Sequence, residues 1–142
     1  MQLKIKYLVP DLEKIKFVKG SNWVDLRSAV DISMKQGEYK LIPLGISVQL
    51  PYMWEAYIVP RSSTFKNFGL IQANHFGVVD YSYSGNNDQW FFSCIAMRDT
   101  IINKNDRICQ FRINKMQPKF DIIEVDNLEN DDRGGIGSTG VK

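Results

Sequence analysis

The sequence predicts an all-β domain, and three observations carry that prediction. Apolar residues recur with period two along most of the chain, the spacing that sends alternate side chains to opposite faces of a strand. Turn-forming residues break the pattern at intervals of about 8–12 residues, as in sandwiches and barrels. No stretch of roughly ten residues places its apolar side chains at helical spacing. The expected architecture is therefore a β-sandwich or a partly closed barrel.

The elements follow in order. Leu3, Ile5 and Tyr7 alternate with Lys4 and Lys6 and predict a first strand. Residues 11–16 read as a turn or a single helical turn. Residues 23–34 read as strand, with Asp31 set between Val30 and Ile32, so that Asp31 either faces water or pairs with an arginine such as Arg107. Gly37 marks a turn, and 39–50 is strand again, interrupted by Pro43 and Gly45. Residues 54–59 form a strand closed by Pro60. Residues 62–68 suit a short helical turn, with Ser62 or Ser63 as its cap and Gly69 as its end. Residues 70–73 and the region of Val78 and Val79 are short strands. Gly85-Asn86-Asn87-Asp88 is a tight turn. Strands are expected over 90–97, 100–102 and 107–113, the last two joined by the turn Asn103-Lys104-Asn105-Asp106. A final strand is expected over 120–125. The organisation is then a β-rich domain over 1–125, followed over 126–142 by an acidic linker and a glycine-rich arm.

Composition limits the function classes. A chain of 142 residues with 44% hydrophobic content suits one domain with a true core. Eighteen basic and 16 acidic residues leave a net charge of +2, without the basic surplus of a nucleic-acid binder. No apolar run approaches a membrane span and no leader pattern opens the chain. Cys94 and Cys109 lack metal or redox spacing, which suits a reducing, cytoplasmic setting. His75 is the sole histidine, which excludes a histidine-based metal centre.

Several short runs could carry chemistry. In Pro60-Arg61-Ser62-Ser63, a strand ends in a turn whose amides, hydroxyls and guanidinium could hold phosphate; an ordinary helix start with a surface arginine is the plainer reading. In Gly77-Val78-Val79-Asp80-Tyr81-Ser82-Tyr83, Asp80 ends a strand among aromatic residues, where a carboxylate can accept a proton from water. It could also simply begin a turn. Asn74 either presents its amide to a base edge or caps a turn. Gln110, in an apolar strand, needs hydrogen-bond partners from a ligand or from a structural network. The C-terminal run Arg133-Gly134-Gly135-Ile136-Gly137-Ser138-Thr139-Gly140 can wrap an anion or fray as a chain end.

Taken in order, Ala29-Val30-Asp31-Ile32, Pro60-Arg61-Ser62-Ser63, Gly77-Val78-Val79-Asp80 with Tyr83 and Gly85, Arg107-Ile108-Cys109-Gln110 and the terminal Arg133-Gly134-Gly135 with Gly137-Ser138-Thr139-Gly140 resemble the five motifs of trimeric dUTP pyrophosphatases (dUTPases). The resemblance runs from about Trp23 to the C-terminus. It is strongest to the short enzymes of Gram-positive bacteria and their phages.

The resemblance implies a distorted jelly-roll (β-clip) subunit with a flexible C-terminal arm, in a homotrimer whose active sites are each shared by three chains. It implies Mg2+-dependent hydrolysis of dUTP to dUMP and pyrophosphate. In that scheme Asp80 orders the attacking water, Ser62 and Gln110 contact phosphate, and Asp31 helps hold the Mg2+ and water network. Tyr83 packs on deoxyribose, Asn74 and Val79 lie by the uracil-reading hairpin, and Arg61 and Ser63 flank the phosphates. The arm contributes Arg133, Gly135, Ile136, Gly137 and Ser138. Ile136 stands where the family usually has a stacking phenylalanine, and Phe91 or Phe92 is expected to supply the missing cover over the base.

Two other readings remain. A dCTP deaminase of the same fold would need a glutamate in the strand after the third motif, and 88–94 has none. Phage proteins of this fold can also bind a regulatory protein partner, for which the run Trp90-Phe91-Phe92 would be a surface. No nucleic-acid or membrane partner is expected.

Overall fold

A computed structural model describes residues 1–137 and 140. Ten strands and one short helix follow one another as β1 (Lys4–Tyr7), β2 (Val24–Arg27), β3 (Ile32–Met34), β4 (Tyr39–Gln49), β5 (Trp54–Pro60), α1 (Thr64–Phe68), β6 (Leu70–Gln72), β7 (Gly77–Val79), β8 (Gln89–Ala96), β9 (Thr100–Ile102) and β10 (Arg107–Lys115). They form two four-stranded sheets, ordered β1-β4-β8-β6 and β2-β10-β5-β7, and a two-stranded β3-β9 ribbon. Every pairing is antiparallel. The apolar faces of the two large sheets meet in one core that includes Leu26, Ile46, Ile58, Trp90, Phe92 and Phe111. The fold is the all-β sandwich that the alternation predicts.

The longest strands show how side-chain period sets burial. Along β8, every second residue from Trp90 to Ala96 is buried. β4 is broken by a bulge between Pro43 and Ser47. Gly45 sits inside it at φ +68°, and a Cβ there would lie 2.9 Å from that of Ala29, so the bulge requires glycine.

Three local expectations are corrected. Residues 23–34 are not one strand: residues 28–31 leave the ladder between β2 and β3. The Ser28 hydroxyl donates to Val30 O at 2.7 Å, and the Ala29 amide donates to Pro43 O at 2.9 Å. These bonds replace the sheet partners that a continuous strand would need. At α1, Ser63 is the N-cap residue but makes no side-chain capping bond. The Thr64 hydroxyl ties the turn instead, accepting from the Arg61 amide at 2.8 Å and donating to Ile108 O at 2.9 Å. Gly69 ends the helix in the left-handed region, as expected. Residues 120–125 form no strand. Phe120, Ile122, Ile123 and Val125 are all exposed, and a strand without a paired edge leaves its backbone groups to water.

Among the described residues, no helix is long and apolar enough to cross a membrane.

Candidate active site

The expected site residues fall into two groups at opposite ends of β5, with the arm as a third part. The first group surrounds a cleft of ≈ 270 Å³ lined by Asn74, Gly77, Val79, Asp80, Tyr83, Leu41, Phe91 and Ser93, among others. The β6–β7 hairpin forms one wall, and Asn74 sits in its turn. Pairing of Val79 with Ala56 holds the hairpin against β5, and the chain leaves the sheet at Asp80. The Asp80 carboxylate is exposed at the mouth.

Tyr83 is anchored rather than loose. Its hydroxyl donates to Gln89 O at 3.0 Å, and its amide donates to Asp80 O at 3.0 Å. Gln89 in turn accepts the Gly45 amide through Oε1 at 3.1 Å. The ring is therefore held to β8, and β8 to the β4 bulge.

The expected aromatic lid divides along the period of β8. Phe91 points outward, half-buried, and lines the cleft. Phe92 is 0% exposed and belongs to the core, so it has no face to offer a base. Trp90 is also buried and stacks edge-on against Phe111, with ring centroids 5.2 Å apart. With two of its three rings inside, the Trp90-Phe91-Phe92 run is no protein-binding surface.

The second group lies where β5 and β10 meet. Gln110 pairs laterally with Val59 on one side and Asp25 on the other, and its Nε2 donates to Pro60 O at 3.1 Å. Arg61 Nε donates to Asp25 Oδ1 at 2.8 Å, and Arg107 donates to Asp25 Oδ2 at 3.1 Å. One carboxylate thus holds two guanidinium groups, leaving a net charge of +1 beside Ser62 and Ser63. The two serine hydroxyls make no hydrogen bond among the described residues. The arrangement suits an oxyanion.

Asp31 does not belong to this group. It is exposed in the turn after β2, where Oδ1 accepts the Lys104 amide at 2.8 Å. The expected alternative of an Asp31–Arg107 pair is also overturned, because Arg107 pairs with Asp25. Asp25 is the functional candidate missing from the sequence reading, which names Arg107 only within the fourth motif and as a possible partner of Asp31. The signal for Asp25 was present: in Val24-Asp25-Leu26-Arg27, Val24 and Leu26 are buried, so Asp25 faces outward.

The two groups do not meet within one chain. Asp80 leaves β7 level with Glu55, whereas Arg61 follows the far end of β5. About five residues of strand separate them, roughly 17 Å at strand rise. The arm bridges neither group. Arg133, Gly135, Ile136 and Gly137 are exposed, and the tail's hydrogen bonds beyond Met116 stay within the tail among the described residues. Ser138 lies outside the described residues.

Among the described residues no group of three or more histidine, cysteine or acidic side chains forms a metal cage. A divalent cation here would need ligands brought by a substrate, with Asp25 or Asp80 as outer partners. The thiols are not nucleophiles. Burial pushes Cys94 up to about 12, and burial, with the nearby Cys94 and Asp25, pushes Cys109 up as well.

An antiparallel β-sandwich subunit that ends a hairpin in a carboxylate cleft and carries a separate arginine–serine–glutamine patch suits a hydrolase of phosphoanhydrides. Within that class the chain belongs to the dUTPase family, whose family model matches residues 19–140. A prophage-derived deoxyuridine 5'-triphosphate nucleotidohydrolase of Bacillus subtilis is 57% identical over 142 residues, covering 100% of both chains. The deoxyuridine 5'-triphosphate nucleotidohydrolase of Neorickettsia sennetsu is 36% identical, over 93% of this chain and 91% of its own. The fold is shared with solved structures. A dUTPase from phage phi11 of S. aureus superposes with a TM-score of 0.79 at 15% identity, covering 92% of this chain and 100% of its own. That structure describes the coordination of a structural Mg(II) ion. The dUTPase of Streptococcus mutans gives 0.72 at 20% identity, covering 82% and 98%.

Proposed function

We propose that this chain hydrolyses dUTP to dUMP and pyrophosphate in a homotrimer, with each active site assembled from neighbouring copies. The observation that carries the reading is the cleft in which Asp80 stands at the mouth and Tyr83 is pinned beside it.

In this reading the hairpin around Asn74 and Val79 takes the uracil through its polar edges. The Tyr83 ring packs on the sugar, where the anchored hydroxyl prevents the ring from yielding to a 2′-hydroxyl. Phe91 covers part of the base. Asp80 accepts a proton from a water molecule as that water attacks the α-phosphorus. The bond to the bridging oxygen breaks, and pyrophosphate leaves. The patch of Arg61, Arg107, Ser62, Ser63 and Gln110 on a neighbouring copy spreads the developing charge over fixed donors. Asp25 holds both arginines in place and takes the outer-ligand role first expected of Asp31. Arg133, Gly135, Ile136, Gly137 and Ser138 close over the phosphates and exclude water. Mg2+, bound by the triphosphate, would neutralise charge on the leaving group.

Assembly is supported by what a single chain leaves open. Among the described residues the exposed apolar side chains of 120–125 have no partner, and an apolar groove of ≈ 720 Å³ opens between the edges β1 and β2. Such surfaces favour self-association.

The test is a pyrophosphate-release assay on dUTP, dCTP, dTTP and UTP, with Mg2+ and with a chelator. Hydrolysis should be confined to dUTP and fall on chelation. Ammonia release from dCTP would favour the deaminase, and absence of pyrophosphate from dUTP would overturn the reading.

A further inference from the structure

A notch of ≈ 240 Å³ on the outer face of the first sheet is lined by Lys4, Lys6, Ser47, Gln49, Gly85 and Asn86, among others. Lys4 opposes Gln49 and Lys6 opposes Ser47 across the β1–β4 ladder, so the four side chains share one face. The 81–88 loop folds over that face and buries Ser47. Ser47 is 3% exposed, and its Oγ has no hydrogen-bond partner. The acid in the loop is already committed, as Asp88 accepts the Gly85 amide at 2.7 Å. Lysines on an edge strand also discourage edge-to-edge pairing. Ser47 Oγ is sealed beneath the loop, so the face offers a partner its two exposed ammonium groups, which suit an acidic segment.

The notch shares its loop with the catalytic cleft: Tyr83 lines the cleft and Gly85 lines the notch. The chain also carries a segment of opposite charge, in which Asp126, Glu129, Asp131 and Asp132 directly precede Arg133 and the glycine-rich tip. Those side chains are exposed and form no ion pair among the described residues. Asp126 lies ten residues along the chain from Met116, which is bonded to Met53. Such a stretch spans up to roughly 33–36 Å when extended, enough to reach a neighbouring copy.

We propose that the acidic linker Asp126–Asp132 of a neighbouring copy docks in this notch. Its carboxylates pair with the exposed Lys4 and Lys6. The docked linker places Arg133 and the tip beside Tyr83, so the arm arrives at the cleft in register. The inference rests on the proposal that the arm of one copy serves the cleft of another.

Zero-length carbodiimide cross-linking of the intact protein tests it, since the reagent joins an amine only to a carboxylate in contact. Oligomers would be assembled from mixed 14N- and 15N-labelled chains. The expected products are peptides linking Lys4 or Lys6 to 126–132 with mixed isotope composition. In parallel, reversing the notch (Lys4→Glu with Lys6→Glu) should raise KM for dUTP about fivefold at low salt with kcat little changed. The effect should fade near 1 M salt, as for an exposed ion pair. Reversing the linker as well (Asp131→Lys with Asp132→Lys) should restore KM. Links within one chain, absence of links, an unmoved KM, or inorganic phosphate displacing the link as a free anion at this site would each overturn the proposal. Cross-linking does not depend on catalysis: mixed-isotope links in a protein inert toward dUTP would leave the clasp standing and remove the activity.

Discussion

At Asp25 a single carboxylate sits between two guanidinium groups, 2.8 Å from Arg61 and 3.1 Å from Arg107. Its negative charge lets two cations share one patch without repelling each other, and its geometry aims them. Asp25→Asn keeps the shape and removes the charge. Turnover of dUTP should fall on the order of 10²-fold, as when one preorganised charge-stabilising element is lost. Asp31→Asn should stay within about threefold of wild type, because a surface turn residue contributes little. Steady-state pyrophosphate release on both variants, with melting curves to confirm folding, checks the pair. The resemblance carried by Ala29-Val30-Asp31-Ile32 assigns Asp31 to the first motif, and reading 23–34 as one strand hides the turn that exposes it. The turn at 28–31 depends on bonds to Pro43 and Asp106, residues distant in sequence, which local patterning cannot show. Cys94 and Cys109 give a second prediction at this scale. Both thiols are held protonated in the fold, whereas an unfolded thiol ionises above about 9. The folded state then binds more protons than the unfolded one, so stability is full below that value and declines as pH rises through it toward about 12. Denaturant midpoints between pH 7 and 10.5 should fall, and the fall should shrink in Cys94→Ala with Cys109→Ala.

Among the elements, β8 shows most clearly how a two-residue period assigns function. Trp90, Phe92 and Cys94 enter the core, while Phe91 and Ser93 face the cleft. Phe92→Ala should cost about 3–5 kcal/mol of stability by opening a cavity. Phe91→Ala should leave stability nearly unchanged and raise KM for dUTP. Thermal melts and Michaelis–Menten curves on the two variants separate the effects, and equal losses of stability would refute the division. The strands, the Gly69 helix stop and the Asp80 strand end were legible because each depends on its own short stretch of chain. Which aromatic faces the cleft was not read out, although the alternation contains it, because register decides inside from outside. The missing strand at 120–125 has a different cause. Its residues favour strand, but a strand needs an edge to pair with, and 120–125 pairs with none of this chain's edges.

On the scale of the whole molecule, the fold separates what the chemistry requires together. Asp80 and Tyr83 lie at one end of β5, Arg61 and Gln110 at the other, and the exposed arm reaches neither group. On the proposed reading, one copy holds the parts of a site without assembling it. Removing residues 126–142 should preserve the fold, since no core residue lies there, but should cut turnover by depriving the phosphates of Arg133. Circular dichroism and activity on the truncated chain test that expectation. The division of the site is tested most directly by complementation. Asp80→Asn and Arg61→Gln would each be prepared as an inactive protein, then mixed, unfolded and reassembled together, with mixed oligomers verified by native mass spectrometry. Because the two lesions fall in different halves, some interfaces in the mixture carry an intact Asp80 from one copy and an intact Arg61 from another. The account predicts that dUTP hydrolysis reappears at a substantial fraction of the wild-type rate. Mixed oligomers that stay as inactive as either parent would place both halves of the site in one chain and contradict it.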